Sequence, residues 1–217
     1  MKIPDRWKTC SLFLLLAAAT AGPSFAQEAT PAKPAGTKPD DAQMMTMMMD
    51  LAKPGENQKI LEGRVGSWTY TTKFWISPDT NTPPMESSGT AVTKAIMGGR
   101  YIQSEHTGKI QMPGPDGKMT DMEFHGMEIA GYDNAKKKFV SAWVDNMGTG
   151  IMLSEGTYDA ATKTITYTAE EEPFPGMKMK VRELVRLTDN DHNTFEFYED
   201  RAGTEVKTME ISSIRVK

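Results

Sequence analysis

The sequence predicts an all-β domain, a single antiparallel up-and-down β-barrel of about ten strands. Three observations carry that reading. The first is turn chemistry. Gly131-Tyr132-Asp133-Asn134, Asn146-Met147-Gly148 and Tyr158-Asp159-Ala160-Ala161-Thr162-Lys163 bound two apolar strands between Gly131 and Ile165. Asp and Asn favour such turns because their short side chains bond nearby backbone and tolerate unusual dihedrals. The second is period-two alternation: Trp68, Tyr70, Thr72, Phe74 and Ile76 share one strand face, and Thr69, Thr71 and Lys73 the other. The third is spacing. Turn signals recur about every 11 residues with no helix between strands, and so many strands expose long edges unless the sheet closes on itself.

The elements follow in chain order. Lys2, Arg6 and Lys8 precede the apolar run from Cys10 to Ala21, and Ser24-Phe25-Ala26 fits a small-x-small cleavage site. Residues 1–26 therefore read as a signal peptide, which places the protein in the periplasm or outside the cell. A membrane anchor needs about 20 apolar residues, whereas this run stops at Gly22-Pro23. Cys10 lies inside the part removed, not at the cut where a lipid-attachment cysteine would stand. Cleavage would leave 191 of the 217 residues, with no cysteine and no membrane span. Disulfides are permitted outside the cytoplasm, so this core must suffice without them. The remaining 22 Lys+Arg against 28 Asp+Glu give a net charge of −6, which argues against a nucleic-acid partner.

Residues 27–43 are rich in Pro, Ala and Lys and read as a disordered linker. Asp40 and Gln43 echo a capping box at its end, ahead of a Met-rich helix over 44–53. Met44, Met45, Met47, Met48 and Met49 invite a copper reading, because thioethers suit Cu(I). Methionine is also a good helix former and a flexible gap-filler, and no histidine accompanies the cluster. A lid over a barrel mouth or a protein-binding face is the favoured role. The barrel domain spans 54–217, opening with a short helix that aims Ile60 and Leu61 at a core. Strands are placed near 66–77, 86–97, 100–111, 119–131, 138–146, 149–158, 163–172, 177–188, 193–201 and 205–216. In the eighth, Met177, Met179, Val181, Val185 and Leu187 face one way, and Lys178, Lys180, Arg182 and Arg186 the other.

A short helix followed by Gly66-Ser67-Trp68 and antiparallel strands resembles the lipocalin and fatty-acid-binding barrels. That resemblance implies that Trp68 plugs one barrel end and that Arg215 packs on its ring, a cation–π contact worth about 0.5–2 kcal/mol. Gly98-Gly99-Arg100-Tyr101, Gly131-Tyr132-Asp133-Asn134, Trp143-Val144-Asp145 and Gly156-Thr157-Tyr158-Asp159 add a closer resemblance. With Gly66-Ser67-Trp68 they make residues 54–217 similar to the bacterial domain of unknown function 1579 family. It implies the barrel and supplies no catalytic residues.

Candidate chemistry rests on acids in phase with apolar residues. Asp145 is in phase with Phe139 and Trp143, Glu155 follows Ile151 and Leu153, Glu183 lies between Val181 and Val185, and Glu128 is in phase with Phe124 and Tyr132. Charges are almost never buried unpaired. Two readings stand. The acids line a wet cavity, or a one-residue slip in register puts them outside. The first makes the protein a small-molecule binder, with Tyr101, Tyr132 and Trp143 as aromatic walls and Asp145, Glu155 and Glu183 as polar anchors. The second makes it a ligand-free envelope module that acts through the linker and the Met-rich helix. An enzyme using paired carboxylates is a third class, without a motif behind it. No cofactor or metal is expected, since His106, His125 and His192 lack ligand spacing. His106 and His125 fall on neighbouring strands and could face each other across a hairpin; a haem barrel would need one of them in an apolar pocket.

Overall fold

The computed structural model describes residues 39–76, 82–114 and 116–217; the predicted signal peptide and residues 27–38 of the predicted linker lie outside them. Two helices lead into ten strands. They are α1 (Asp41–Leu51), α2 (Glu56–Glu62), β1 (Gly66–Phe74), β2 (Met85–Ile96), β3 (Tyr101–Pro113), β4 (Met119–Asp133), β5 (Lys138–Asp145), β6 (Met152–Asp159), β7 (Thr164–Phe174), β8 (Met177–Leu187), β9 (His192–Arg201) and β10 (Thr204–Arg215). Each strand pairs antiparallel with the next, and β1 pairs with β10 from Trp68↔Arg215 to Phe74↔Met209. The sheet is a closed ten-strand barrel, as the turn spacing predicts.

The repeated Tyr-Asp turns share one geometry. After β4, Asp133 Oδ1 accepts from the backbone N–H groups of Ala135 and Lys136, at 2.9 and 3.0 Å. After β6, Asp159 Oδ1 accepts from Ala161 N–H at 2.9 Å. Each loop ends on a lysine in the left-handed region, Lys137 at φ 55° and Lys163 at φ 51°. The aspartate holds the turn and the lysine delivers the chain into the next strand.

These turns lie at the end of the barrel that α2 closes. Leu61 of α2 joins Ile102, Ala130, Phe139, Ile165, Tyr167 and Val185 in one buried cluster, with Tyr132, Tyr158 and Phe195 packed against it. Gln58 ties the helix down, donating to Tyr132 O at 3.1 Å and to Asn134 Oδ1 at 3.3 Å. At the seam, Arg215 Cζ lies 4.2 Å from the Trp68 ring centroid, and Trp68 Nε1 donates to Arg64 O at 2.9 Å. Gly66 has φ +139°, and a Cβ there would run into the Arg215 guanidinium, so the first position of Gly-x-Trp admits only glycine.

Helix α1 starts at Asp41, not at residue 44, because the capping box begins it early: Gln43 N–H donates to Asp40 Oδ1 at 2.8 Å. It buries no residue, and all five methionines are exposed. Its end is fastened to the barrel. Asn134 Nδ2 donates to Leu51 O and Lys53 O at 2.8 and 2.9 Å, and Arg100 Nε donates to Ala52 O at 2.9 Å.

Candidate functional site: a polar layer inside the barrel

Beneath the apolar cluster the inner wall becomes polar. Arg64, in the link from α2 to β1, reaches inward to Glu128 of β4 in a two-pronged ion pair of 3.1 and 2.5 Å, both side chains nearly buried. Ser141 of β5 donates to Glu128 at 3.2 Å. Burial alone would push the Glu128 carboxyl up; the Arg64 guanidinium outweighs it and holds the carboxyl below its ordinary range. Glu183 of β8, 5% exposed, has no such cation. Ser154 of β6 donates to it at 2.7 Å, and burial with the nearby Glu128 and Glu171 carboxylates pushes it up to about 7. Two carboxyls on one inner wall are thus shifted in opposite directions, because only one of them is paired with a guanidinium.

Two further groups complete the polar layer. Tyr167 of β7 stands directly opposite Glu183 in the β7–β8 register and is 0% exposed. Its hydroxyl has no hydrogen-bond partner, and burial drives its pKa upward. His106 of β3 also carries a buried nitrogen, Nε2, without a partner. Burial lowers its pKa to about 4, so the ring is neutral near pH 7. His106 sits between Tyr70 and Trp143, at 5.8 and 5.3 Å between ring centroids. Trp143 and Tyr167 lie flat against the wall where the adjacent strand carries glycine: a Cβ on Gly126 would strike the Trp143 ring, and one on Gly156 the Tyr167 ring.

Toward the end opposite α2 the wall turns acidic. Asp145 accepts from Trp143 Nε1 at 2.8 Å and Met147 N–H at 2.9 Å. Glu199 binds Thr208 Oγ1 at 3.2 Å and Arg201 at 2.8 Å. Burial, with Glu199 and Asp145 nearby, raises the Glu171 carboxyl. Among the described residues no group of three or more His, Cys, Asp or Glu side chains is arranged to hold a metal. A shallow cleft of about 340 Å³ near the β7–β8 and β9–β10 turns contains the exposed Lys178–Glu170 pair and none of these interior groups.

The structure sorts the sequence-predicted residues. Trp143, Asp145 and Glu183 face the interior. Tyr132 faces inward too, but into the apolar end, where its ring meets Phe139 at 5.0 Å. Tyr101 and Glu155 are corrections. Tyr101 is 41% exposed on the outer face, lying over Gly131. Glu155 is outside and pairs with Lys136 at 2.6 Å, because Ser154 and Gly156 are the buried positions of β6. Leu153, in phase with Glu155, is 69% exposed, so polarity misreports the face there. His106 and His125 do not face each other: Thr107 pairs with His125, leaving His106 inside and His125 outside. His106, Tyr167, Arg64, Ser141 and Ser154 were not singled out as site residues by the sequence. Strand parity could have found Tyr167, in phase with buried Ile165; nothing local marks Arg64.

Residues 53–215 match the family described as "Protein of unknown function (DUF1579)". The chain belongs to that family. A search of curated proteins found no match. Among solved structures, the family member resembles Rv2717c from M. tuberculosis, with a TM-score of 0.51 at 12% identity over 76% of this chain and 100% of that one. A protein of unknown function from the DUF3598 family of Nostoc punctiforme aligns at a TM-score of 0.26 and 6% identity over 75% and 100%. The first likeness supports the barrel fold alone; the second carries no argument. No helix among the described residues is long and apolar enough to cross a membrane.

Proposed function

We propose that this protein is exported and binds a small polar molecule inside its barrel. The single observation that carries the reading is the pair of orphaned polar atoms on the inner wall, Tyr167 Oη and His106 Nε2. Buried polar groups are nearly always hydrogen-bonded, and leaving one unmet costs about 1–3 kcal/mol. A bound molecule with matching groups recovers that cost. Ten strands also make a wider barrel than the eight that suffice to hold one small ligand. Export rests on the composition of residues 1–26.

Native mass spectrometry of the mature protein, purified gently from the periplasm of its host, tests both parts. The expected mass is that of a chain beginning at Gln27 plus a small molecule that leaves on denaturation. A bare chain that gains nothing in cell extract overturns the binding reading, and an uncleaved chain retained in the cytoplasm overturns export.

A second reading has its own support. Helix α1 is capped and fastened, yet Met44, Met45, Met47, Met48, Met49 and Leu51 are all exposed. An envelope partner docking there would cover them. Deleting residues 27–53 should abolish such a partnership and leave a barrel ligand in place.

A further inference from the structure

The polar layer's charge points to the class of molecule it takes, an inference that rests on the binding reading above. Strand parity among the described residues puts five carboxyl side chains on the inner wall, Glu128, Asp145, Glu171, Glu183 and Glu199, with the guanidiniums of Arg201 and Arg215 in the same phase, while Arg64 reaches in from the α2–β1 link. All three guanidiniums are spoken for, Arg64 by Glu128, Arg201 by Glu199, and Arg215 at the barrel end by the Trp68 ring and the Val65 and Gly63 carbonyls. Glu183 is the buried carboxyl that lacks one; its partner is a neutral hydroxyl, Ser154. Directly opposite stands Tyr167, fully buried, its oxygen unpartnered. A carboxyl without a cation beside an unused oxygen acceptor is the complement of an ammonium group, which offers three donors and no acceptor. The wall below supplies the apolar contact: Trp143, Tyr70 and Phe124 form a connected aromatic patch around His106. Aromatic faces attract cations as well as apolar groups.

We propose that the polar layer receives a small organic ammonium ion, its charged group held by Glu183 and Tyr167 and its apolar portion lying against Trp143 and Tyr70. The acids Asp145, Glu171 and Glu199 toward the end opposite α2 favour such a cation and repel anions. Glu183 is faced by Ser154 from β6, Tyr167 and Glu171 from β7, Glu128 from β4 and Arg64 from the α2–β1 link. Protons compete with the ligand for Glu183, so affinity rises with pH until the carboxyl is fully ionised.

Three probes that share one ring and differ in charge decide the matter: benzylamine, benzyl alcohol and benzoate, titrated calorimetrically into the full mature protein after unfolding and refolding to remove any bound molecule. Benzylamine should bind at least 10-fold more tightly than benzyl alcohol at pH 8, and benzoate should not bind. Between pH 8 and pH 5 benzylamine affinity should fall roughly 100-fold, the proton competition expected for a carboxyl titrating near 7. Glu183→Gln should remove most of the benzylamine affinity and flatten its pH profile, whereas the outer-face Glu155→Gln should change neither. Preference for benzoate or benzyl alcohol, or benzylamine binding indifferent to pH, overturns the cation assignment in wild-type protein without recourse to a variant. A native bound mass that proves anionic overturns the assignment and leaves the binding reading intact. No bound mass and no binding of any probe overturns both.

Discussion

The α2 end of the barrel and the polar layer below it are made from the same ten strands with opposite materials. At the α2 end, Leu61, Ile102, Phe139 and Ile165 close on one another, and burial of apolar area does the work. One layer down, Arg64, Glu128, Ser141, Ser154 and Glu183 take the same inward positions, and Tyr167 belongs to both, its ring in the apolar cluster and its hydroxyl near Glu128 and Glu183. Stability does not demand this second layer. A buried ion pair roughly breaks even against well-fitted apolar residues, and an orphaned hydroxyl is a net cost. The contrast teaches that the upper layer gains stability from apolar burial, whereas the lower layer holds polar groups that apolar residues of similar size could replace without loss of stability.

The comparison breaks hardest at Arg64. Arg64→Ala strands the Glu128 carboxylate and should destabilise by about 3–5 kcal/mol in denaturant unfolding. Replacing both partners, Arg64→Met with Glu128→Leu, should restore stability to wild type or above it. If the double variant is no better than Arg64→Ala, the ion pair is a structural element and the contrast between layers fails. In the upper layer, Leu61→Ala should cost about 2–5 kcal/mol, and no second substitution among polar groups should rescue it.

A smaller effect appears with pH. Glu183 has its folded pKa raised from 4.5 to about 7, so its stabilising contribution is full below pH 4.5 and is lost as pH rises to 7. At 1.36 kcal/mol per pH unit that is worth about 3 kcal/mol. His106 has its folded pKa lowered from 6.5 to about 4, so its contribution is present above 6.5 and is lost as pH falls toward 4. The two slopes oppose each other between 4.5 and 6.5. Glu183→Gln should therefore make stability fall more steeply on acidification than in wild type, and His106→Gln should reveal a decline as pH rises. Unfolding midpoints measured from pH 4 to 8 for the three proteins check this; parallel profiles would contradict it. Smallest of all, Glu155→Gln removes an exposed pair with Lys136 and should change stability by less than about 1 kcal/mol.

The fold was legible because its punctuation is chemical. Asp133 and Asp159 announce their turns, and their spacing sets strand length and antiparallel order. Every strand end lies within three residues of its expected place. The polar layer was legible only where polarity and parity agree. Glu183 alternates with Val181 and Val185, all buried, and was found. On β6 the rule inverts: Leu153 faces solvent and Ser154 faces inward, so an apolar-in reading puts Glu155 inside. A barrel with a polar interior and apolar residues on its outer wall removes the contrast that the reading depends on. Arg64 was missed for a different reason. It is neither on a strand nor on a helix, and its role exists only once the barrel closes around Glu128, 64 residues away.

The most direct test of the layered account is native mass spectrometry of the Glu183→Gln/Tyr167→Phe double variant, isolated from its host beside the wild type. Both substitutions keep shape, and Tyr167→Phe retains the ring that packs in the apolar cluster around Leu61. The account predicts a folded chain of wild-type stability or better that carries no bound molecule while the wild type does. A double variant that retains the same bound mass at the same occupancy would show that the polar layer is not what holds the ligand.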